Sequence, residues 1–108
     1  DIRKGSPTFG KYVSVELTSG NKRQLLVPRG FAHGFVVLED NTVFAYKVDN
    51  YYNPQSDRGL AFDDVDLGID WTIDTKDLNL SNKDTQQPKL KDVDNKNIFD
   101  NKVDYYNA

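Results

Sequence analysis

The clearest residue pattern of the chain lies in residues 11–48, which read KYVSVELTSGNKRQLLVPRGFAHGFVVLEDNTVFAYKV. Residues 11–18 alternate polar and apolar side chains, with Val13, Val15 and Leu17 on one face, as in a half-buried strand. Residues 23–27, 31–38 and 42–48 predict three more short strands, because Gly, Pro, Asn and Asp between them favour turns. Short strands at regular spacing predict an all-β sandwich or barrel of the jelly-roll kind.

Length and composition limit the function classes. A chain of 108 residues with 37% apolar residues suits one domain. The absence of Cys excludes disulfides and thiolate metal sites. No apolar run approaches the ~20 residues of a membrane helix, so we expect no membrane partner. The net charge of −3 argues against nucleic acid as a partner, although six Lys and Arg among residues 1–30 leave room for a small anionic ligand.

The remainder of the chain is turn-rich. Residues 59–62 and 69–73 predict two short strands around an acidic stretch. Its aspartates lack the Gly and terminal Glu of a calcium loop, so we expect a solvated turn there; they are Asp63, Asp64, Asp66 and Asp70. Residues 74–108 are rich in Asn, Asp and Lys and predict an irregular arm on the surface. Its candidate anchors are Ile98, Phe99, Val103, Tyr105 and Tyr106.

A few side chains have the chemistry of a functional site. His33 is the only histidine and lies between Phe31 and Phe35, where it is either a packed core residue or a ligand contact. One histidine cannot supply the several imidazoles of a jelly-roll metal site, so we expect no metal. Tyr46 is either a packed strand residue or a general acid. Tyr52 either stacks on a planar ring or caps the end of the sandwich.

Six sequence blocks in order resemble the dTDP-4-dehydrorhamnose 3,5-epimerase family, over residues 1 to about 90. They read DIRKGSPTFG at 1–10, NKRQL at 21–25, PRGFAHGF at 28–35, YK at 46–47 with YYNP at 51–54, DLGIDW at 66–71, and LSNKD at 80–84. Each block alone is a weak signal. Their shared order makes the resemblance specific.

The resemblance implies a cupin-type jelly roll (double-stranded β-helix), here incomplete at its N-terminus. Residues 1–90 would be the C-terminal part of one epimerase domain, and residues 91–108 its C-terminal arm. It further implies a cytoplasmic enzyme, homodimeric at full length, with no metal or organic cofactor. The substrate would be a dTDP-linked 4-keto-6-deoxy sugar, inverted at C3 and C5 in dTDP-L-rhamnose synthesis.

The resemblance also implies roles for individual residues. Tyr46 matches the family's proton donor, and Asp84 the aspartate that orients its catalytic histidine. The substrate-binding positions are His33, a sugar contact; Tyr52, which stacks on thymine; Asp57, where the family often has Glu; and Lys83, which binds the nucleotide. The base histidine of the family lies in an Arg-Gly-Leu-His motif that residues 1–108 do not contain, and His33 is not that base.

Two other interpretations stay open. The chain could be a non-catalytic jelly-roll module that binds a nucleotide sugar, or one piece of a fused or degenerate gene. It contains no Met, so we expect a processed or truncated chain, with unpaired strand edges and poor stability by itself. An Arg-Gly-Leu-His segment encoded upstream in frame would favour the enzyme.

Overall fold

The computed structural model describes residues 1–107 as a mostly non-helical chain with few strands. Within these residues the only strands are β1 (Arg3–Lys4) and β2 (Phe99–Asp100). They pair in parallel, with Arg3 opposite Phe99 and Lys4 opposite Asp100. This short pairing joins the two ends of the chain, and the Asn101 amide donates to the Lys4 carbonyl at 3.0 Å to extend it.

Among the described residues, five single-turn 3-10 helices follow residue 53, at Pro54–Ser56, Thr75–Asp77, Asp84–Gln86, Leu90–Asp92 and Asn95–Asn97. Three of them begin at an Asn or Asp whose side chain accepts a hydrogen bond from a backbone amide two residues on: Asn53, Asp74 and Asp94. Such caps satisfy amides that a single turn leaves without a carbonyl partner. Within the described part of the chain none of these helices has the length and apolar character needed to cross a bilayer.

The four segments predicted as strands, residues 11–18, 23–27, 31–38 and 42–48, are not strands in this structure. The same holds for residues 59–62 and 69–73. The prediction of regular strands there is wrong for the chain by itself, because a strand needs a neighbouring backbone to pair with. The non-helical character of residues 11–48 is confirmed, whereas the jelly roll stays a prediction.

The turns between these segments are confirmed at residues 19–21, 29–30 and 39–41. Asn21 holds the first turn, since its side-chain oxygen accepts from the Thr18 amide at 3.1 Å and its own amide donates to the Thr18 hydroxyl at 2.9 Å. Across the third turn the rings of Phe35 and Phe44 stack with centroids 3.9 Å apart. The hairpin-like course of residues 31–48 therefore persists without ladder hydrogen bonds.

The best-packed part of the chain lies around Asp64, which is 2% exposed. Its carboxylate accepts hydrogen bonds from the amides of Asp66 at 3.0 Å and Leu90 at 2.8 Å. Nearby, the Ala61 amide donates to the Pro88 carbonyl at 2.7 Å. The prediction of a solvated turn is thus wrong for Asp64. The Asp64 carboxyl stays ionised although it is buried. Hydrogen bonds from the Leu90 amide, and then from the Asp66 amide, lower its pKa below the usual value and outweigh the effect of desolvation.

The arm after residue 90 is anchored through Arg29. The Arg29 amide donates to the Tyr106 hydroxyl at 2.9 Å, and its guanidinium donates to the Tyr105 carbonyl at 2.6 Å and to Asp49 at 3.0 Å. The rings of Phe99 and Tyr105 meet edge to face at 4.9 Å. The contacts with Arg29 confirm Tyr105 and Tyr106 as anchors, and the pairing of Phe99 with Arg3 confirms Phe99.

Candidate functional site

Three of the predicted site residues, Tyr52, Asp57 and Lys83, meet in one cluster. The Lys83 ammonium forms an ion pair with Asp57 Oδ2. The Tyr52 hydroxyl donates to the same oxygen at 3.5 Å. We call this group the Tyr52–Asp57–Lys83 cluster; it joins residues from two stretches of the chain on an open surface.

The local sequence explains why Asp57 returns to Tyr52. Asn53 caps the turn by accepting from the Gln55 amide at 3.1 Å, and Pro54 occupies the first helical position, where its fixed φ suits the turn. The Asp57 amide then donates to the Pro54 carbonyl at 3.4 Å. The YYNP block therefore reverses the direction of the chain, and this places the Asp57 carboxylate beside the Tyr52 phenol.

The second stretch is shaped by Ser81. Its hydroxyl accepts from the Asp84 amide at 3.2 Å, and its carbonyl accepts from the Thr85 amide at 3.2 Å. These bonds start the 3-10 turn at Asp84–Gln86 and leave Lys83 just before it, with helical dihedrals. The LSNKD block therefore fixes the backbone from which the Lys83 side chain reaches Asp57.

Close packing after Asp57 holds the two stretches together. A Cβ on Gly59 would lie 2.6 Å from the side-chain amide carbon of Gln87, so a larger residue at position 59 would require the Gln87 side chain to move. The Ala61 and Pro88 backbones and the Asp64 side chain continue the contact toward Leu90. These contacts bring residues 59–64 against residues 87–90.

The cluster contains one positive charge, on Lys83, and one negative charge, on Asp57. The Lys83 hydrogen bond is the main cause that lowers the pKa of Asp57, and the bond to Asp57 in turn raises the pKa of Lys83. Both groups are therefore charged at neutral pH. The Lys83 side chain is 59% exposed and the Asp57 side chain 28% exposed, so the ammonium remains accessible to an anionic ligand.

The other predicted site residues take no part in the hydrogen bonds of the cluster. Asp84 is adjacent to Lys83 in sequence and is exposed, with its amide held by Ser81. Tyr46 is 70% exposed, and its ring lies 5.3 Å from that of Phe44. His33 is exposed as well. Within residues 1–107 neither His33 nor Tyr46 has a side-chain hydrogen bond, so the structure does not join them to the Tyr52–Asp57–Lys83 cluster.

Two centres of hydrogen bonding in the structure are not predicted by the sequence. Asp1 accepts hydrogen bonds from the Arg3 guanidinium at 2.8 Å and from the hydroxyls of Ser6 and Thr8 at 2.6 Å each. The Arg3 guanidinium also lies over the Phe31 ring at 4.6 Å. The second centre is Arg29. The only sequence signal for the Asp1 centre is the spacing of residues in the DIRKGSPT block, and no sequence signal marks the Arg29 centre.

Among the described residues 1–107, no three His, Asp or Glu side chains converge as the ligands of a metal ion would. The donor sets that the structure does contain are salt bridges and turn caps.

Comparison with known proteins agrees with the family resemblance. The family model described as dTDP-4-dehydrorhamnose 3,5-epimerase matches residues 1–92. Proteins of that name from Shigella flexneri and Sinorhizobium fredii are 48% and 52% identical over 94 and 90 residues, which are 87% and 83% of this chain. The Escherichia coli strain K12 protein is 52% identical over 84 residues, 78% of this chain.

The matched stretches make up 51%, 46% and 45% of these three relatives, so the chain spans about half the length of the curated relatives it matches. No solved structure matches the chain. A family model that covers residues 1–92 decides the assignment. The chain belongs to the dTDP-4-dehydrorhamnose 3,5-epimerase family.

Proposed function

We propose that the protein to which this chain belongs is a dTDP-4-dehydrorhamnose 3,5-epimerase. It inverts C3 and C5 of a dTDP-linked 4-dehydro-6-deoxy-glucose next to the C4 ketone, in dTDP-L-rhamnose synthesis. The observation that carries the proposal is the Tyr52–Asp57–Lys83 cluster, because it sets a ring, a carboxylate and an accessible ammonium side by side in the part of the chain that the family model matches. We further propose a cytoplasmic homodimer built on a cupin-type jelly roll.

The cluster has the chemistry to hold the nucleotide end of such a substrate. The Tyr52 ring is 76% exposed and offers a face on which thymine stacks. The Lys83 ammonium attracts the diphosphate. Asp57 offsets part of its charge and limits its rotamers, so that binding costs less side-chain entropy. These contacts act equally on the ground state and the transition state, and they therefore supply affinity more than rate.

The reaction itself needs a base on one face of the sugar and an acid on the other. A base removes the proton from C3, and the electron pair moves into an enolate whose charge rests on the C4 oxygen. The Tyr46 hydroxyl then gives its proton to the opposite face of C3, which inverts the centre, and the same sequence applies at C5. The base histidine is not among residues 1–108, and in this proposal Asp84 orients it.

A hybrid protein tests the proposal. Residues 1–92 replace the matching stretch of the Escherichia coli relative, so that the remainder of the domain comes from a named epimerase. We expect the hybrid to convert the dTDP-4-keto-6-deoxy sugar and to incorporate deuterium at C3 and C5 in deuterated water. The isolated 108-residue chain should do neither, since loss of a general base costs about 10²–10⁴ in rate.

The hybrid also decides between the enzyme and the non-catalytic module. Binding of dTDP or of the nucleotide sugar without deuterium incorporation would favour a module that holds the ligand and does no chemistry. Deuterium incorporation at enzyme-like rates by the isolated chain would contradict the assignment of the base to a residue outside it.

A further inference from the structure

Arg58 is the residue next to Asp57, and its side chain folds back over the turn that Asp57 ends. One nitrogen of the guanidinium, Nη1, donates to the Gln55 carbonyl at 2.8 Å and to the Asp57 carbonyl at 2.9 Å. Both carbonyls belong to the turn that Asn53 begins and Asp57 ends. The Arg58 side chain therefore bridges the turn whose last residue carries the carboxylate of the Tyr52–Asp57–Lys83 cluster.

The backbone alone closes the end of this turn only weakly. The Asp57 amide donates to the Pro54 carbonyl at 3.4 Å, whereas N–H···O hydrogen bonds usually measure about 2.7–3.2 Å. The two bonds from Arg58 lie within that range and come from a charged donor, which strengthens a hydrogen bond. Arg58 is therefore the stronger restraint on the backbone from which the Asp57 carboxylate extends.

The side chains that meet the Asp57 carboxylate do not replace this restraint. Lys83 lies at the end of a flexible stem and is 59% exposed, so its ammonium follows the carboxylate rather than fixing it. The Tyr52 hydroxyl donates at 3.5 Å, beyond the usual range of about 2.5–3.0 Å for an O–H···O bond. The place of the carboxylate is therefore set mainly by the turn behind it.

The charge of Arg58 acts on Asp57 as well, but less than its hydrogen bonds do. The hydrogen bond from Lys83 is the main cause that lowers the pKa of Asp57, and the Arg58 charge lowers that pKa as a smaller cause. The guanidinium is exposed to solvent, which screens its charge. The geometry of the turn is thus the larger contribution of Arg58.

We propose that Arg58 is a positioning residue, which holds the turn at Pro54–Ser56 closed through two carbonyls and thereby holds the Asp57 carboxylate against the Lys83 ammonium. It acts through Asp57 and makes no contact with the nucleotide itself. Only the consequence for nucleotide affinity rests on the proposed function. The positioning of Asp57 can be measured with no nucleotide present.

Arg58→Met in the hybrid protein tests the positioning role through the pKa of Lys83. If the turn loosens, the ion pair weakens, and the pKa of Lys83, which the bond to Asp57 raises, falls toward its ordinary value of 10.5. Loss of a positive charge beside an unchanged pair would instead raise the pKa of Lys83, because a repelling neighbour is removed. We expect a fall, measured by NMR titration of the Lys83 side chain.

Two further substitutions separate hydrogen bonding from charge. Arg58→Lys keeps the charge but replaces the planar guanidinium with an ammonium on a flexible stem, so a fall in the pKa of Lys83 in this variant reports the hydrogen bonds alone. It also provides the test where Arg58→Met does not fold. Lys76→Met removes one positive charge from an exposed position elsewhere and should leave the pKa of Lys83 unchanged. The other groups that act on Lys83, Tyr52 and Asp84, are present in every variant.

The affinity for dTDP provides a second measurement. Arg58→Met should raise the Kd of dTDP about three- to tenfold, as expected for the net loss of one hydrogen bond. The same change should have no effect when Asp57→Asn is already present, because Arg58 acts through that carboxylate. A general loss of stability would weaken binding equally in both backgrounds. Unchanged hydrogen exchange at the Leu90 amide checks that the fold is intact.

Two results would overturn the positioning role. One is a pKa of Lys83 that rises or stays constant on Arg58→Met, or stays constant on Arg58→Lys. The other is an equal effect of Arg58→Met on the Kd of dTDP with and without Asp57→Asn. A hybrid protein that shows the fall in the pKa of Lys83 but binds no dTDP would support the positioning role and contradict the proposed function.

Discussion

The Lys83 ammonium and the Asp57 carboxylate form an ion pair across 26 residues of sequence, and the Tyr52 hydroxyl donates to the same carboxylate oxygen. The buried Asp64 carboxylate, seven residues after Asp57, accepts from the amide of Leu90, seven residues after Lys83. The two contacts join the same two stretches of the chain, one at the surface and one in the interior, and substitutions at the two levels should have different effects.

The first prediction concerns the pH range in which the pair exists. The pKa of Asp57 is lowered from its ordinary value of 3.8, so its contribution to stability is present above that value and disappears as the pH falls through the folded-state pKa. The pKa of Lys83 is raised from 10.5, so its contribution is present below that value and disappears as the pH rises through the folded-state pKa.

NMR titration of the hybrid protein measures the pKa of Asp57. Lys83→Met should return the pKa of Asp57 toward its ordinary value, because the largest cause of its shift is removed. Lys76→Met removes an exposed lysine elsewhere and serves as the control, with no effect on Asp57. An Asp57 midpoint that does not respond to Lys83→Met would mean that the pair is absent in solution.

The second prediction concerns Tyr52 and nucleotide affinity. Tyr52→Ala in the hybrid protein should raise KM and leave kcat nearly unchanged, since stacking holds the nucleotide and not the reacting sugar. The loss of base stacking, about 1–3 kcal/mol, corresponds to roughly 5- to 150-fold. Steady-state kinetics with the dTDP-sugar provide the measurement.

Two controls separate stacking from other roles of Tyr52. Tyr52→Phe keeps the ring and removes only a long hydrogen bond to Asp57, so KM should stay close to that of the unsubstituted hybrid. Tyr51→Ala truncates a neighbouring ring that is 97% exposed and should have little effect. If Tyr52→Ala left KM unchanged, the ring would serve only as a cap of the fold.

The third prediction concerns the buried carboxylate. Asp64→Ala should lower Tm, because the amides of Asp66 and Leu90 lose their acceptor in a buried site. Losing the stabilisation of one hydrogen bond lowers the Tm of a protein of 150–250 residues by roughly 2–4 °C. Asp64→Ala removes the acceptor of two amides. Asp63→Ala, at an exposed neighbour, should have almost no effect on the thermal transition. Equal Tm values for the two variants would contradict the role of Asp64.

The sequence of this chain predicts its turns and part of its candidate site, but not its strand pairing or the burial of Asp64. Turn composition correctly located the chain reversals at residues 19–21, 29–30 and 39–41, because turns are specified by local residues. Strand pairing depends on distant backbone, and residues 11–48 lack that partner here. Family motifs identified Tyr52, Asp57 and Lys83, which meet in space. The burial of Asp64 was missed because an acidic stretch has no periodicity that marks which carboxylate turns inward.

The last prediction concerns Tyr46 as the acid of the proposed reaction. Tyr46→Phe in the hybrid protein removes one oxygen and keeps the ring beside Phe44, so the packing of that row should survive. The base can still remove a proton and return it to the same face.

Exchange and inversion should therefore separate. Deuterium should still enter C3 and C5, at a reduced rate, while net inversion falls about 10²-fold or more, the usual range for the loss of a positioned acid. NMR on a single sample follows both. A Tyr46 with only a packing role would change both rates in parallel or neither. Inversion retained near the unsubstituted rate would remove Tyr46 from the mechanism, because the opposite face would then receive its proton from another donor.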